Sequence, residues 1–472
     1  MSTITIVMLI VYVVVFGGGS IWCIKKSLAG NQQHAAVEGE GDGFSSRIGY
    51  ILSTIGMAVG VGAMWRFPML CAKWGGGAFV LAFIIITIAL VIPAGFAETA
   101  YGRLKAKEHM SGMSEEGGVF GKILGALCSL DQLFLWAYYP AILGLVIVYI
   151  GKTATSGIGY AENSEAVWDS LNGNKMLQYG LILVILIFTA LITVRGIKNG
   201  IEKICKIMLP ALGIILVVLV IGVCTIDGIA EGIEYYVKPD WAVLANPSMW
   251  AEAAGMALFA VGLGPGVLYA YGRYTNKSQD IAMDFVSVNV LQLTICLLSG
   301  FVIIPAVKVF GFDPMMGKGI MFVALPKVFE SLPAGAVFMI LFYIALLFAG
   351  ISSSISQLEV GLNLFTDKIG FNLTRKKGTI VAFVVAALVA IPCAFNDSFF
   401  AVFDTVIGSI GYDVCALCIA LLIGWKYGAA KIRAAYNETC EIKWGSWIDI
   451  MYKYVFVVIM AFFSVQALID LF

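Results

Sequence analysis

The stretch STIGMAVGVGAMWRFP, residues 53–68, lies between apolar runs long enough to cross a bilayer, but it is unlike an ordinary membrane span. Gly56, Gly60 and Gly62 have no side chains to cover the backbone, and Arg66 places a charge two residues before a proline. Irregular backbone is tolerated at membrane depth only where it is buried in protein or lines a water-filled cavity. The stretch therefore predicts a broken membrane helix whose carbonyl and amide groups face a solute.

The composition places the whole chain in a membrane. Of its 472 residues, 60% are hydrophobic and 13% charged, and the mean hydropathy is +0.93. A soluble protein of this size could not cover so much apolar side chain. Apolar runs of about 18 or more residues recur along the chain, without the short alternating segments of a β-barrel. We predict an all-α polytopic membrane protein with about twelve spans, and the zero net charge gives no preference for nucleic acid.

Positive charge sets the predicted orientation. Lysine and arginine cluster in alternate loops, which the positive-inside rule places in the cytoplasm, with the N-terminus outside the cell. The first segment, TITIVMLIVYVVVFGGGSIW (residues 3–22), has Lys25 and Lys26 after its apolar core, opposite to a signal peptide. We therefore expect residues 1–26 to form an extra N-terminal span in the cell's inner (cytoplasmic) membrane, followed by a cytoplasmic linker over 27–46.

A second interrupted stretch, FAVGLGPGVLYAYGRY (residues 259–274), follows five spans after the first. Pro265 removes a backbone amide and predicts a break within the membrane. An odd repeat of five spans inverts the second copy. The sequence thus predicts a 5+5 inverted repeat, with units 47–226 and 250–428 and an additional C-terminal span over 446–472.

Three motifs in order give the chain a family resemblance. RFP followed by WGGGAF (residues 66–79), LFAVGLGPG (258–266) and FAGISSSISQLEV (348–360) resemble the neurotransmitter:sodium symporter family, whose architecture is the LeuT fold. The resemblance runs from about Ser46 to the C-terminus. It implies a secondary active transporter rather than an enzyme. The sequence of the spans shows no pairing of a nucleophile with a base and no metal-binding cluster that would favour an enzyme.

The resemblance implies one sodium site, built from backbone carbonyls and two hydroxyls. The matching positions are Gly56, Val59, Ala349, Ser352 and Ser353. The family's other sodium site matches Ala63, Ala260 and Gln292, and its chloride region matches Phe83, Met256 and Cys296. Most of these positions have lost a good oxygen donor, and an ion without ligands cannot recover its dehydration cost. We expect one sodium ion per cycle and no chloride, unless neighbouring residues rebuild a displaced site.

The resemblance also implies a solute pocket. Glycine at Gly60 is typical of amino-acid carriers, and Tyr139, in WAYYPAIL, matches the tyrosine that holds the solute carboxylate. Phe259 matches the aromatic lid. The predicted substrate-binding residues are Met57, Ala58, Val61, Gly62, Leu135, Tyr139, Phe259, Ala260, Gly262, Pro265, Ser353 and Gln357. This mostly apolar lining favours a bulky aliphatic or aromatic side chain.

Gates are implied on both sides of the pocket. The outer gate pairs Arg66 with Asp404. The inner gate matches Asp367 and Tyr274, with Phe44 in place of a tryptophan. The family's N-terminal arginine is replaced by Gly41, and Arg47 is a candidate substitute. Among the remaining acids, Glu98 and Glu359 match structural positions, whereas Asp413 has no counterpart and leaves a proton role open.

The sequence therefore predicts sodium-coupled symport of an amino acid or a related carboxylate by alternating access. The expected partners are a small-molecule solute and the lipid bilayer. The altered ion site keeps an alternative open, namely a sodium-independent facilitator or a binding-only sensor of an aromatic or organic metabolite.

Overall fold

The computed structural model describes residues 2–30, 43–276, 279–313, 316–441 and 443–469. Ten helices in that part of the chain are long and apolar enough to cross a membrane, and a bent pair makes an eleventh span. A second interrupted pair, α8 and α9, lies at the second predicted interruption, residues 259–274. In chain order the helices are α1 (Thr5–Leu28), α2 (Arg47–Ala58), α3 (Val61–Lys73), α4 (Gly77–Lys105), α5 (His109–Ser156), α6 (Lys175–Thr193), α7 (Ile197–Val223), α8 (Pro247–Ala260), α9 (Val267–Gly272), α10 (Ile281–Val309), α11 (Gly335–Thr366), α12 (Arg375–Phe395), α13 (Asp397–Thr439) and α14 (Trp447–Ile469).

The predicted fold class, an all-α polytopic membrane protein, is confirmed. Helices satisfy their backbone hydrogen bonds within one segment, which is what a hydrocarbon environment without water requires. Short helices lie in some of the connections between the spans. They are Ser164–Gly173, Ile229–Val237 and Leu325–Glu330.

The first predicted break separates α2 from α3. The two helices are bent by 54°, and Val59 and Gly60 between them have non-helical backbone angles. Val59 has ψ at 79°, and Gly60 has φ at −92° and ψ at −171°. The break therefore leaves carbonyls at the end of α2 and amides at the start of α3 without helical partners.

The second break separates α8 from α9 and needs glycine for two reasons. Gly262, Gly264 and Gly266 all have positive φ, which reaches 116° at Gly264. A Cβ at Gly264 would also lie 2.2 Å from the Cβ of Ala416 on α13. The backbone of the break thus both turns left-handed and packs directly on a neighbouring helix.

Two buried side chains from other helices hold this second break. Glu98 of α4 accepts hydrogen bonds from the amides of Gly264, at 3.1 Å, and Tyr269, at 3.3 Å. His109 lies 2.7 Å, through Nε2, from the carbonyl oxygen of Gly266. Glu98 and His109 thus act as structural supports, since they replace the backbone bonds that the interruption removes.

Helix α11 is the central packing element around the breaks. It packs most extensively on α5 and α7 and also contacts α2 and α9. Gly56 allows this approach, because a Cβ there would lie 2.9 Å from the Cβ of Ser352. The serines of α11 therefore stand against the C-terminal end of α2.

The extra N-terminal helix lies against α10. Ser20 and Thr294 hydroxyls are 2.9 Å apart, and Lys26 Nζ lies 2.5 Å from a carboxylate oxygen of Glu441. Of the predicted linker over 27–46, residues 31–42 lie outside the described residues. At its end, the Ser45 amide donates to the buried carboxylate of Glu202 at 2.7 Å, so the start of α2 is fixed.

Candidate ion and solute site

Oxygen atoms from α2 and α11 converge beside the first break. Ser353 Oγ donates to the carbonyl oxygens of Gly56 and Met57, each at 3.2 Å. Ser352 Oγ donates to the carbonyl of Ala349 at 3.0 Å. Both serines are at most 7% exposed. The structure thus brings four of the five predicted sodium ligands together, at the place where the fifth residue, Val59, ends α2.

This donor set fits a sodium ion. The carbonyl and hydroxyl oxygens are uncharged, which suits a hard monovalent cation that must bind and leave again. The hydroxyls can turn their protons away and offer lone pairs to a cation. Because the Gly56 and Val59 carbonyls lie at the end of α2, they are available without breaking a helical ladder.

The positions of the family's other sodium site are arranged differently. Ala63 and Ala260 have only methyl side chains, and the Ala63 carbonyl accepts a hydrogen bond from Ser299 Oγ at 2.8 Å. Gln292 Nε2 donates to Cys296 Sγ at 3.2 Å, one turn along the same helix. The two alanines supply no side-chain oxygen, so Gln292 Oε1 is the one side-chain oxygen that these three positions offer.

The neighbouring chloride region is apolar on the α4 side. The Phe83 ring packs against those of Phe67 and Phe79, with centroids 5.1 and 6.3 Å away. Met256 and Cys296, the two other positions, are also buried. An anion placed here would meet aromatic and thioether surface instead of hydroxyl donors.

A cavity of about 60 Å³ lies between the two breaks. Tyr139 Oη accepts a hydrogen bond from the Val61 amide at 3.0 Å, which fixes the tyrosine at the start of α3. A Cβ on Gly60 would lie 2.9 Å from Ser353 Oγ and 3.2 Å from Tyr139 Oη. The predicted sodium ligand Ser353 and the predicted solute ligand Tyr139 therefore meet around Gly60.

The lining of this cavity differs in part from the predicted pocket. Pro265 is buried but does not line it, because the left-handed turns at Gly264 and Gly266 bring Val267, the first residue of α9, to the cavity instead. Val61 contributes its amide and lines the outer cavity described below. The remaining predicted residues that line the inner cavity are Met57, Ala58, Gly62, Leu135, Tyr139, Phe259, Ala260, Gly262, Ser353 and Gln357.

The sequence reasoning missed three polar lining residues. They are Gln132 on α5, Ser356 on α11 and Tyr412 on α13. Ser356 follows from helical periodicity, since it stands one turn after Ser353. Gln132 precedes Leu135 by three residues, so the same helical periodicity places it on the cavity face of α5. No such pattern indicates Tyr412, because α13 carries no other predicted pocket residue.

Phe259 divides the inner cavity from an outer vestibule of about 300 Å³. Arg66, Lys318 and Asp404 line this vestibule, and all three are exposed. The predicted ion pair between Arg66 and Asp404 is not present among the ion pairs of the described residues. The reason is that the vestibule is open between them, and the Arg66 guanidinium lies over the Phe259 ring, 5.5 Å from its centroid.

The opposite, inner side is packed closed. Phe44 makes edge contacts with the rings of Tyr271 and Tyr274, at 5.8 and 6.4 Å. Tyr274 Oη donates to Glu359 at 2.7 Å, and Glu359 also pairs with Arg375. The three predicted inner-gate residues thus lie on the closed side of the cavity, and the cavity is open on the side of Arg66 and Asp404.

The predicted substitute for the inner-gate arginine has another partner. Arg47 pairs with Asp284, which is fully buried at the start of α10. Asp367 is instead bonded by the Ser111 amide at 2.8 Å, and also by the Ser111 hydroxyl. Arg47 begins α2 beside α10, so it reaches Asp284 rather than Asp367. Gly41 lies outside the described residues.

Comparisons with known proteins agree with this architecture. The family model of the sodium:neurotransmitter symporter family matches residues 41–174 and 160–471. The uncharacterized sodium-dependent transporter YhdH of Bacillus subtilis is 32% identical over 83% of this chain and 89% of that protein. An uncharacterized sodium-dependent transporter of Methanocaldococcus jannaschii is 30% identical over 86% of each.

A solved structure extends the likeness to three dimensions. The crystal structure of MhsT in complex with L-phenylalanine superposes with a TM-score of 0.81 and 28% identity, over 90% of this chain and all of that one. The family model, the relatives and this superposition all cover most of the chain. The chain belongs to the sodium:neurotransmitter symporter family and is a multi-pass, sodium-coupled membrane transporter of a small-molecule solute.

Proposed function

We propose that this transporter carries an amino acid with one sodium ion per cycle and without chloride. The observation that carries the proposal is the position of Ser353, whose hydroxyl touches the Gly56 and Met57 carbonyls and lies next to Gly60. A cation bound to these oxygens would be adjacent to the solute cavity. Binding of either would then favour the same arrangement of α2 and α11, which is the physical basis of coupling.

We infer a single sodium ion because only one of the family's two sodium sites keeps its oxygen donors. The proposed sodium ligands are Gly56, Val59, Ala349, Ser352 and Ser353. At the other family position the Ala63 carbonyl is bonded to Ser299, and Gln292 is bonded to Cys296. The phenylalanine cluster around Phe83 argues in the same way against a chloride ion.

The solute class rests on the inner cavity and on the solved relative. MhsT was solved as a complex with L-phenylalanine, and from this similarity we infer that the solute of this chain is also an amino acid. Its carboxylate would lie at the N-terminal end of α3, where Tyr139 and the backbone amides favour an anion. Leu135, Phe259 and Gly262 would surround its side chain.

Alternating access would proceed from the outward-facing arrangement. Closure over the solute would bring Phe259 inward and pair Arg66 with Asp404, which line the same vestibule. Opening inward would separate Phe44, Tyr274 and Asp367 from their neighbours. We place the protein in the cytoplasmic membrane with its N-terminus outside, from the distribution of lysine and arginine.

Uptake by proteoliposomes tests this function. Labelled L-amino acids, L-phenylalanine among them, should accumulate under an inward sodium gradient and stop accumulating when potassium replaces sodium. Replacing chloride by gluconate should change nothing. Ser353→Ala should abolish the sodium dependence, whereas Ser464→Ala, which removes a buried serine on α14 that only bonds its own helix, should not.

A second function is favoured by the missing donors at Ala63 and Ala260, namely a sodium-independent facilitator or a sensor. Binding that is unchanged by sodium, together with equilibration without accumulation, would support this alternative and refute symport. Sodium-dependent accumulation would exclude it.

A further inference from the structure

One wall of the inner cavity is polar, and neither the proposed sodium site nor the proposed carboxylate site uses it. Gln132 of α5, Gln357 of α11 and Tyr412 of α13 line this wall. They are 2%, 7% and 6% exposed. Three helices therefore bring buried polar side chains to the same cavity, and we call these three residues the polar wall.

Two atoms of the polar wall have no hydrogen-bond partner within the described residues, namely Gln357 Oε1 and Tyr412 Oη. Behind the wall, Asp131 Oδ2 accepts a hydrogen bond from Gln132 Nε2 at 3.0 Å. Buried polar groups in proteins are almost always bonded. Groups that line a binding cavity receive their bonds from whatever fills it, so the solute has to replace any water that it displaces.

Tyr412 brings the polar wall next to the aromatic lid of the cavity. The Tyr412 ring lies 5.7 Å, between centroids, from the ring of Phe259. Ala416, one turn later on α13, packs on Gly264 of the second break. The first break, with Tyr139 and Val61, is where we placed the carboxylate. The polar wall is thus suited to the side chain of the solute.

We infer that the transported amino acid has an aromatic side chain carrying a hydrogen-bond donor, a phenol or an indole. The ring packs against Phe259 and Tyr412, and its O–H or N–H donates to Gln357 Oε1; a phenol oxygen also accepts a hydrogen bond from Tyr412 Oη. This inference rests on the proposed function and narrows its solute class. A site built to bond a hydroxyl or N–H rejects the analogue that lacks it, because the buried partners are left unpaired.

Binding of matched amino acids to the purified full-length protein tests the inference. Titrations of L-tyrosine, L-tryptophan, L-phenylalanine and L-leucine in sodium buffer, followed by thermal stabilisation, give their relative affinities. L-tyrosine or L-tryptophan should bind about ten- to a hundredfold more tightly than L-phenylalanine. L-tyrosine and L-phenylalanine differ only by the hydroxyl in question.

Variants then assign the preference to the polar wall. Gln357→Leu should remove the advantage of L-tyrosine while L-phenylalanine still binds, which also shows that the variant is folded. Tyr412→Phe should reduce the advantage by a smaller factor. Tyr149→Phe is the matched control, because its buried hydroxyl also has no partner among the described residues but lies outside the cavity lining.

Each outcome decides the matter. If L-phenylalanine or L-leucine binds as tightly as L-tyrosine and L-tryptophan, or if Gln357→Leu leaves the ratio unchanged, the inference is overturned and the proposed function stands. If no amino acid binds in a sodium-dependent way, the proposed function itself fails, and the inference falls with it.

Discussion

An alanine in place of Gly60 tests whether the proposed sodium and solute ligands share one small space. Its Cβ would lie 2.9 Å from Ser353 Oγ and 3.2 Å from Tyr139 Oη, inside the optimal separation of about 3.5 Å. Gly60 has φ at −92°, which alanine adopts without strain. The effect of the substitution therefore comes from the two contacts and not from the backbone.

The expected magnitude follows from the proposed ligand that is displaced. Moving Ser353 Oγ away, out of its 3.2 Å contacts with the Gly56 and Met57 carbonyls, takes one of the five proposed oxygen ligands from the cation. A polar contact with a charged group contributes about 2 kcal/mol, which is the expected loss. This corresponds to about thirtyfold weaker sodium binding.

Sodium titration of the purified protein, followed by thermal stabilisation, measures this change. The half-saturating sodium concentration should rise about thirtyfold in Gly60→Ala. Gly255→Ala is the matched control, since a Cβ at that glycine of α8 would meet nothing within 4 Å. If folded Gly60→Ala protein titrates like the unmodified chain, the sodium ion does not bind at these oxygens.

Three other substitutions separate binding, folding and gating. Tyr139→Phe removes the hydroxyl, 3.0 Å from the Val61 amide, that we propose to bond the solute carboxylate, so amino-acid affinity should fall about tenfold while sodium titration of the free protein is unchanged. Gly264→Ala meets both a φ of 116° and Ala416 at 2.2 Å; the free energy of unfolding should fall by more than about 2 kcal/mol, visible as a lower melting temperature. Arg66→Gln removes an exposed charge that forms no ion pair in the described residues, so thermal stability should change by less than about 0.5 kcal/mol although proteoliposome uptake slows.

The two breaks were predictable because their cause is local. Glycines at Gly56, Gly60 and Gly62, and again at Gly262, Gly264 and Gly266, interrupt apolar runs that otherwise favour helix. No distant residue is needed to see that such backbone is uncommon in a span. The all-α membrane class was predictable for the same reason, since each long span depends on a continuous apolar segment.

Side-chain partners across helices were not predictable in this way. Tyr412 reaches the cavity because α13 is rotated toward the second break, and a helix's rotation depends on all its neighbours. Arg47 was a candidate for the inner gate, but it pairs with Asp284, 237 positions later in the chain. The open arrangement of Arg66 and Asp404 depends on the conformational state, which a sequence does not specify.

Coupling in this protein has a simple physical requirement, which is that sodium and solute must stabilise the same contacts. Ser353 joins α11 to the end of α2, and Tyr139 joins α5 to the start of α3. Only Ala58, Val59 and Gly60 separate these two attachments along the chain. A cation bound between Ser353 and these carbonyls would replace the hydrogen bonds by charge–dipole contacts and would hold in place the amides that we propose to face the carboxylate. Under the proposed function a single cation would therefore be sufficient for coupling, even though the donors of the family's second site have been replaced.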